Sequence, residues 1–124
     1  MSVLGLGTDI VEISRVASVI ESSDRFAKRV LAESELAIYH KHSQPERYLA
    51  KRWAAKEAAA KALGTGIGRG ISFHHFITSN NDLGAPRLEL VGKALDVANS
   101  MNVTSVLLSI SDEKQYAMAT VILS

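Results

Sequence analysis

Apolar positions follow two different spacings along the chain. From Ser2 to Ile13 (SVLGLGTDIVEI) aliphatic and β-branched residues run almost unbroken, predicting a strand buried on both faces. Gly5 and Gly7 within it would let another backbone come close. Beyond Ser14 the spacing changes to three and four. Ser14 is the expected cap of a helix running to about Glu21, with Val16, Val19 and Ile20 on its apolar face. Ser22–Ser23–Asp24 offers a second cap ahead of Phe26, Val30 and Leu31. Ser34 offers a third, ahead of Leu36, Ile38 and Tyr39.

The clearest helix lies between Pro45 and Gly64. Proline suits a first-turn position, where its missing N–H would have no partner anyway, and glycine suits the left-handed stop. Leu49, Trp53, Ala60 and Leu63 share one stripe, and Ala54, Ala55, Ala58, Ala59 and Ala62 cover much of the rest. A helix apolar on most sides is a central, buried one.

Past it, GTGIGRG (64–70) predicts a mobile connector, and Ile71 to Thr78 alternates like a strand. Turn residues 79–82 follow, then a strand at Pro86–Val91 and an amphipathic helix over Lys93–Met101. Ser105–Ser111 and Tyr116–Leu123 read as an antiparallel hairpin. Helices gather in the first half and strands in the second, which predicts an α+β fold in one domain over 1–124.

Composition narrows the chemistry. The chain has no cysteine, which excludes thiol catalysis, thiolate metal sites and disulfides. The near-neutral net charge of +1 conceals a gradient: −2 over 1–14, +5 over 15–69 and −2 over 70–124. No basic n-region with a long apolar run marks a secretory signal, and no run approaches a membrane span. The expected location is the cytoplasm, with no membrane partner.

Two carboxylates stand out. Asp9 ends an apolar strand, where it must be paired, hydrogen-bonded, metal-bound or used as a helix cap. Glu57 lies at the edge of the buried stripe of the long helix, four residues before Lys61, with which it could form an i,i+4 ion pair. Together Asp9 and Glu57 could supply two hard oxygen ligands to Mg²⁺, with Arg52, Lys56 and Lys61 neutralising phosphate charge.

The glycine loop lacks the Lys-Ser/Thr of a Walker-type loop, although glycine-rich backbone N–H groups can contact phosphate. His74 and His75 read as ordinary strand residues facing opposite ways. Arg15, Arg25, Lys28 and Arg29 form either a solvated face or a docking surface for an acidic partner. No interleaved aromatics mark a nucleic-acid groove, so nucleic acid is not the expected partner. A non-catalytic basic module that binds an acidic protein or RNA is the alternative function.

GLGTDIVEISR at 5–15 and KRWAAKEAAAKALGTGIGRG at 51–70 resemble the signatures of the holo-acyl-carrier-protein synthase branch of the 4'-phosphopantetheinyl transferases. The SISDEKQYAMATVIL stretch at 109–123 is similar as well. The resemblance implies transfer of phosphopantetheine from coenzyme A to a serine of apo acyl carrier protein, in fatty acid biosynthesis. Adenosine 3',5'-bisphosphate would be the other product. It implies that Asp9 and Glu57 hold Mg²⁺ and that Lys61 contacts phosphate. Arg52 and the Gly64–Thr65–Gly66 turn would line the coenzyme A cleft. Arg15 and Arg25 would dock the carrier protein, and a homotrimer would carry its active sites between subunits. One departure stands out: many relatives have His after the S-x-S of the penultimate strand, where this chain has Asp112. A role given to that His does not carry over, which leaves Glu57 or a metal-held water as proton acceptor.

Overall fold

The structure is a computed structural model that describes residues 2–124. Strand β1 (Gly5–Glu12) leads into α1 (Ile13–Ile20), α2 (Arg25–Val30), α3 (Glu33–Lys41) and the long α4 (Pro45–Leu63). A 3-10 turn (Phe73–His75) precedes β2 (Phe76–Asn80) and β3 (Pro86–Leu90), then α5 (Gly92–Ser100), β4 (Val106–Asp112) and β5 (Tyr116–Leu123). The fold is α+β. Its strands form two antiparallel sheets, one ordered β1-β5-β4 and a smaller one pairing β2 with β3.

Helix α4 lies across the larger sheet. Its alanines 50, 54, 55, 58, 59, 60 and 62 are all buried, and small side chains permit close approach. The glycines of β1 exploit it: an added Cβ at Gly5 would overlap the carbonyl oxygen of Ala62, and one at Gly7 that of Ala58. Backbone therefore rests on backbone, and this contact holds the first half of β1 against the last turns of α4. Pro45 sits in the first turn, and Gly64 ends the helix at φ 80°.

Several local expectations change. Strand β1 is buried on one face only: Gly7 and Val11 face α4, while Leu6 and Ile10 are 64% and 65% exposed. The uniform apolar run misled because glycines supply the packed face and leave the larger side chains to the open one. Helix α1 begins at Ile13, not after Ser14, and has no side-chain cap. Helix α3 is held by Glu35, whose Oε1 accepts from Ala32 N at 2.7 Å, not by Ser34. The segment from Ile71 forms the 3-10 turn before becoming β2. There His75 Nδ1 accepts from Ser72 N and His74 Nε2 lies 2.8 Å from Lys28 O, so both histidines serve as local fasteners.

Candidate active site

Asp9 follows the close-packed Gly7 on the same face of β1, pointing to the α4 side. On α4, Trp53, Glu57 and Lys61 recur every four residues and share one side of the helix. Strand and helix meet through Lys61, whose Nζ donates to Asp9 Oδ1 and to Thr8 O, both at 3.0 Å. Among the described residues Lys61 pairs with Asp9 and not with Glu57. The i,i+4 pair is thus passed over for a carboxylate reached across the helix–strand contact. Asp9 caps no helix.

Glu57 is left without an ion-pair partner among the described residues. Burial pushes its carboxyl above the usual range. The Asp9 charge pushes it further, and Lys61 and Arg29 pull the other way. Trp53 Nε1 is buried beside this corner with no hydrogen-bond partner among the described residues. Phe26 packs edge-on to Trp53 at 4.9 Å, which brings α2, with exposed Arg25 and Arg29, beside this corner. Arg15 is exposed on α1. Two carboxylates sharing one corner with one half-exposed lysine suit a hard divalent cation. The described residues hold no cluster of three metal-binding side chains, so a metal here would complete its shell from water or phosphate.

The other expected cations lie elsewhere. Lys56 is fully buried, donating to Val30 O at 2.7 Å and Glu35 Oε1 at 2.5 Å, and meets no phosphate. Its predicted role is corrected: it points to the protein interior, about 100° round the helix from Glu57. Arg52 lies about 140° from Glu57 on the same count. It is 7% exposed, stacks 5.0 Å over Tyr48 and donates to Asn80 Oδ1, while its Nε and Nη1 have no partner among the described residues. Arg52 lines a cavity of about 210 Å³ together with His42, Arg47, Lys51 and Asn80. An orphaned buried guanidinium among further cations is a ready seat for an anion.

Asp112 borders this second site. It accepts from Arg47 Nη1 at 2.8 Å, with Lys51 Nζ 3.7 Å away, and Arg47 also donates to Glu113 O and Lys114 O. This clasp was not foreseen, because its partners lie 65 or more residues apart in sequence.

The glycine turn uses its own N–H groups. Gly64 N donates to Lys61 O, and Thr65 N and Gly66 N both donate to Ala60 O. What the turn offers a ligand is a wall: Gly64, Thr65, Arg69 and Lys93 line a cavity of about 250 Å³.

The family model of the 4'-phosphopantetheinyl transferase superfamily matches residues 5–121. The chain belongs to this superfamily. A holo-[acyl-carrier-protein] synthase of Shewanella baltica (strain OS185) is 60% identical over 99% of this chain and 98% of its own. Another, from Photobacterium profundum, is 58% identical over the same shares. Among solved transferases, the holo-[acyl-carrier-protein] synthase of Neisseria meningitidis superposes with a TM-score of 0.90 at 38% identity, covering 99% of each chain. That of Helicobacter pylori, in complex with coenzyme A, gives 0.84 at 32% identity over 96% of this chain and 99% of its own.

Proposed function

We propose that this chain, one domain over 1–124, transfers 4'-phosphopantetheine from coenzyme A to a serine of apo acyl carrier protein. The observation that carries the reading is the corner where Asp9, Glu57 and Lys61 converge. Full-length similarity to holo-[acyl-carrier-protein] synthases supports it. Asp9 and Glu57 would hold Mg²⁺, which supplies charge neutralisation at the diphosphate when bound. The serine hydroxyl gives its proton to a carboxylate oxygen of Glu57, the acid at this corner that no ion pair among the described residues occupies. The serine oxygen bonds to the phosphorus bearing the pantetheine arm. The bond from that phosphorus to adenosine 3',5'-bisphosphate breaks, and Lys61 takes up charge on the departing oxygen. Positioning and charge neutralisation supply most of the rate. Arg15 and Arg25 receive the acidic carrier.

Arg52 and Glu57 face opposite sides of α4, so one chain alone does not bring them to one ligand. A homotrimer resolves this if coenzyme A bridges the Asp9–Glu57–Lys61 corner of one subunit and the Arg52 cavity of the next. The Gly64–Thr65–Gly66 turn would then line the cleft. The open face of the larger sheet supports assembly: Leu6, Ile10 and Leu107 are 64%, 65% and 58% exposed there, an apolar surface that a second copy would cover. No helix among the described residues is long and apolar enough to cross a membrane, which fits a cytoplasmic place in fatty acid biosynthesis.

Asp9→Asn and Glu57→Gln are each expected to lower transfer at least about a hundredfold without unfolding the protein. Wild-type rates in either folded variant would overturn the assignment.

A further inference from the structure

Helix α4 presents its reacting groups from a smooth surface. Alanines make up most of its buried face, and side chains this small offer shallow ridges and grooves to fix rotation or sliding. Glu57 and Lys61 work only if that rotation is right, since each residue step turns the helix by about 100°.

One polar network supplies what the alanines lack. Glu35 and Lys56 are both 0% exposed. The Glu35 carboxylate accepts four hydrogen bonds: from Ala32 N at 2.7 Å and Lys56 Nζ at 2.5 Å on Oε1, and from Thr78 N at 2.7 Å and Thr78 Oγ1 at 2.5 Å on Oε2. Lys56 Nζ also donates to Val30 O at 2.7 Å. The end of α2, the start of α3, the middle of β2 and the centre of α4 thus meet at one point. Lys56 is the residue immediately before Glu57 and five before Lys61.

A buried ion pair is poor evidence for stability. Replacing both partners by apolar groups of similar volume is often neutral or stabilising, whereas removing one is costly. What a fully satisfied buried network adds is directional demand: its hydrogen bonds tolerate little rotation. We propose that the Glu35–Lys56 pair sets the rotation of α4, so that both residues are positioning residues holding Glu57 and Lys61 opposite Asp9. The inference rests on the reading of that corner as the reacting site.

The double variant Glu35→Leu/Lys56→Met removes both charges together, so no buried charge is left unpaired. It is expected to fold with a lower urea midpoint than wild type, because Ala32 N, Thr78 N and Thr78 Oγ1 lose their acceptor and Val30 O its donor. Its kcat should fall roughly ten- to a hundredfold, the scale of a misplacement near 1 Å. The Mg²⁺ concentration for half-maximal rate should rise several-fold, with KM for the carrier within about twofold, because the docking arginines are untouched. Calorimetric titration with coenzyme A and Mg²⁺ should show the weakened site without turnover. A folded double variant with wild-type kcat and Mg²⁺ requirement overturns the proposal. Should the double variant not fold, Thr78→Val removes a single donor: a graded loss of kcat at unchanged carrier KM supports the pair's role, and unchanged kcat overturns it. Glu57→Gln, assayed alongside, tests the site separately: transfer lost there but intact in the double variant rejects the positioning role and leaves the site standing.

Discussion

Glu57 and Lys61 stand one helical turn apart with opposite charges, yet Lys61 reaches across to Asp9 at 3.0 Å. The exchange leaves Glu57 half-buried, without an ion-pair partner among the described residues, and facing a second carboxylate. Such an arrangement costs stability in the metal-free protein, and the sign follows from linkage. A carboxyl whose pKa is raised on folding favours the fold while protonated. That contribution is lost as pH rises through the raised pKa. At neutral pH in a chelator, Glu57→Gln is therefore expected to raise Tm by about 1–3 °C, a modest effect because water still screens the group. The gain should shrink toward pH 4. A Tm below wild type at pH 7 would show that Glu57 is not strained.

Candidate site residues were legible in sequence where a local oddity marked them. An acid interrupts an apolar strand at Asp9, and another sits on a mostly apolar helix at Glu57. Lys56 and Glu35 were not legible. Lys56 reads as a phosphate-neutralising cation and Glu35 as an ordinary surface charge, because their partners stand 21, 26 and 43 residues away.

The pairing of β1 with α4 builds the site. Gly7 lets the strand lie on the carbonyl of Ala58, and Asp9, two residues on, then meets Lys61. Gly7→Ala is expected to destabilise the fold by about 2–4 kcal/mol, as overpacking against rigid backbone does. Urea unfolding measures it, and a loss below about 0.5 kcal/mol would show that the contact gives way easily. Both ends of α4 were legible, because Pro45 and Gly64 act through their own backbone. The extent of burial of β1 was not. An apolar strand reads the same whether its second face is covered by its own chain or by another copy, and here Leu6 and Ile10 stand open. The 3-10 turn at Phe73–His75 was hidden too, because histidine nitrogens there take over backbone bonding that alternation implied for a strand.

At the scale of the molecule, charge is divided among surfaces. Arg15, Arg25, Lys28 and Arg29 are exposed on α1 and α2, while Arg47, Lys51 and Arg52 gather around Asp112 and Asn80 on the far side of α4. In the proposed trimer, the Arg52 region of one subunit and the Asp9–Glu57–Lys61 corner of the next share one coenzyme A. Co-expressing Glu57→Gln with Arg52→Ala, each inactive alone, should restore about a quarter of wild-type activity, as random assortment in a closed trimer requires. No recovery above the parents would place both residues in a single-chain site. The fold class was legible from element order, but the division of the strands into two sheets was not, since β2 and β3 carry the same alternation as the strands of the larger sheet.

The most direct measurement is the intact mass of apo acyl carrier protein after incubation with this protein, coenzyme A and Mg²⁺. The account predicts a gain of one phosphopantetheine on the carrier, abolished by chelator and by Glu57→Gln. A carrier of unchanged mass, with tight salt-sensitive binding of the protein to RNA, would contradict it.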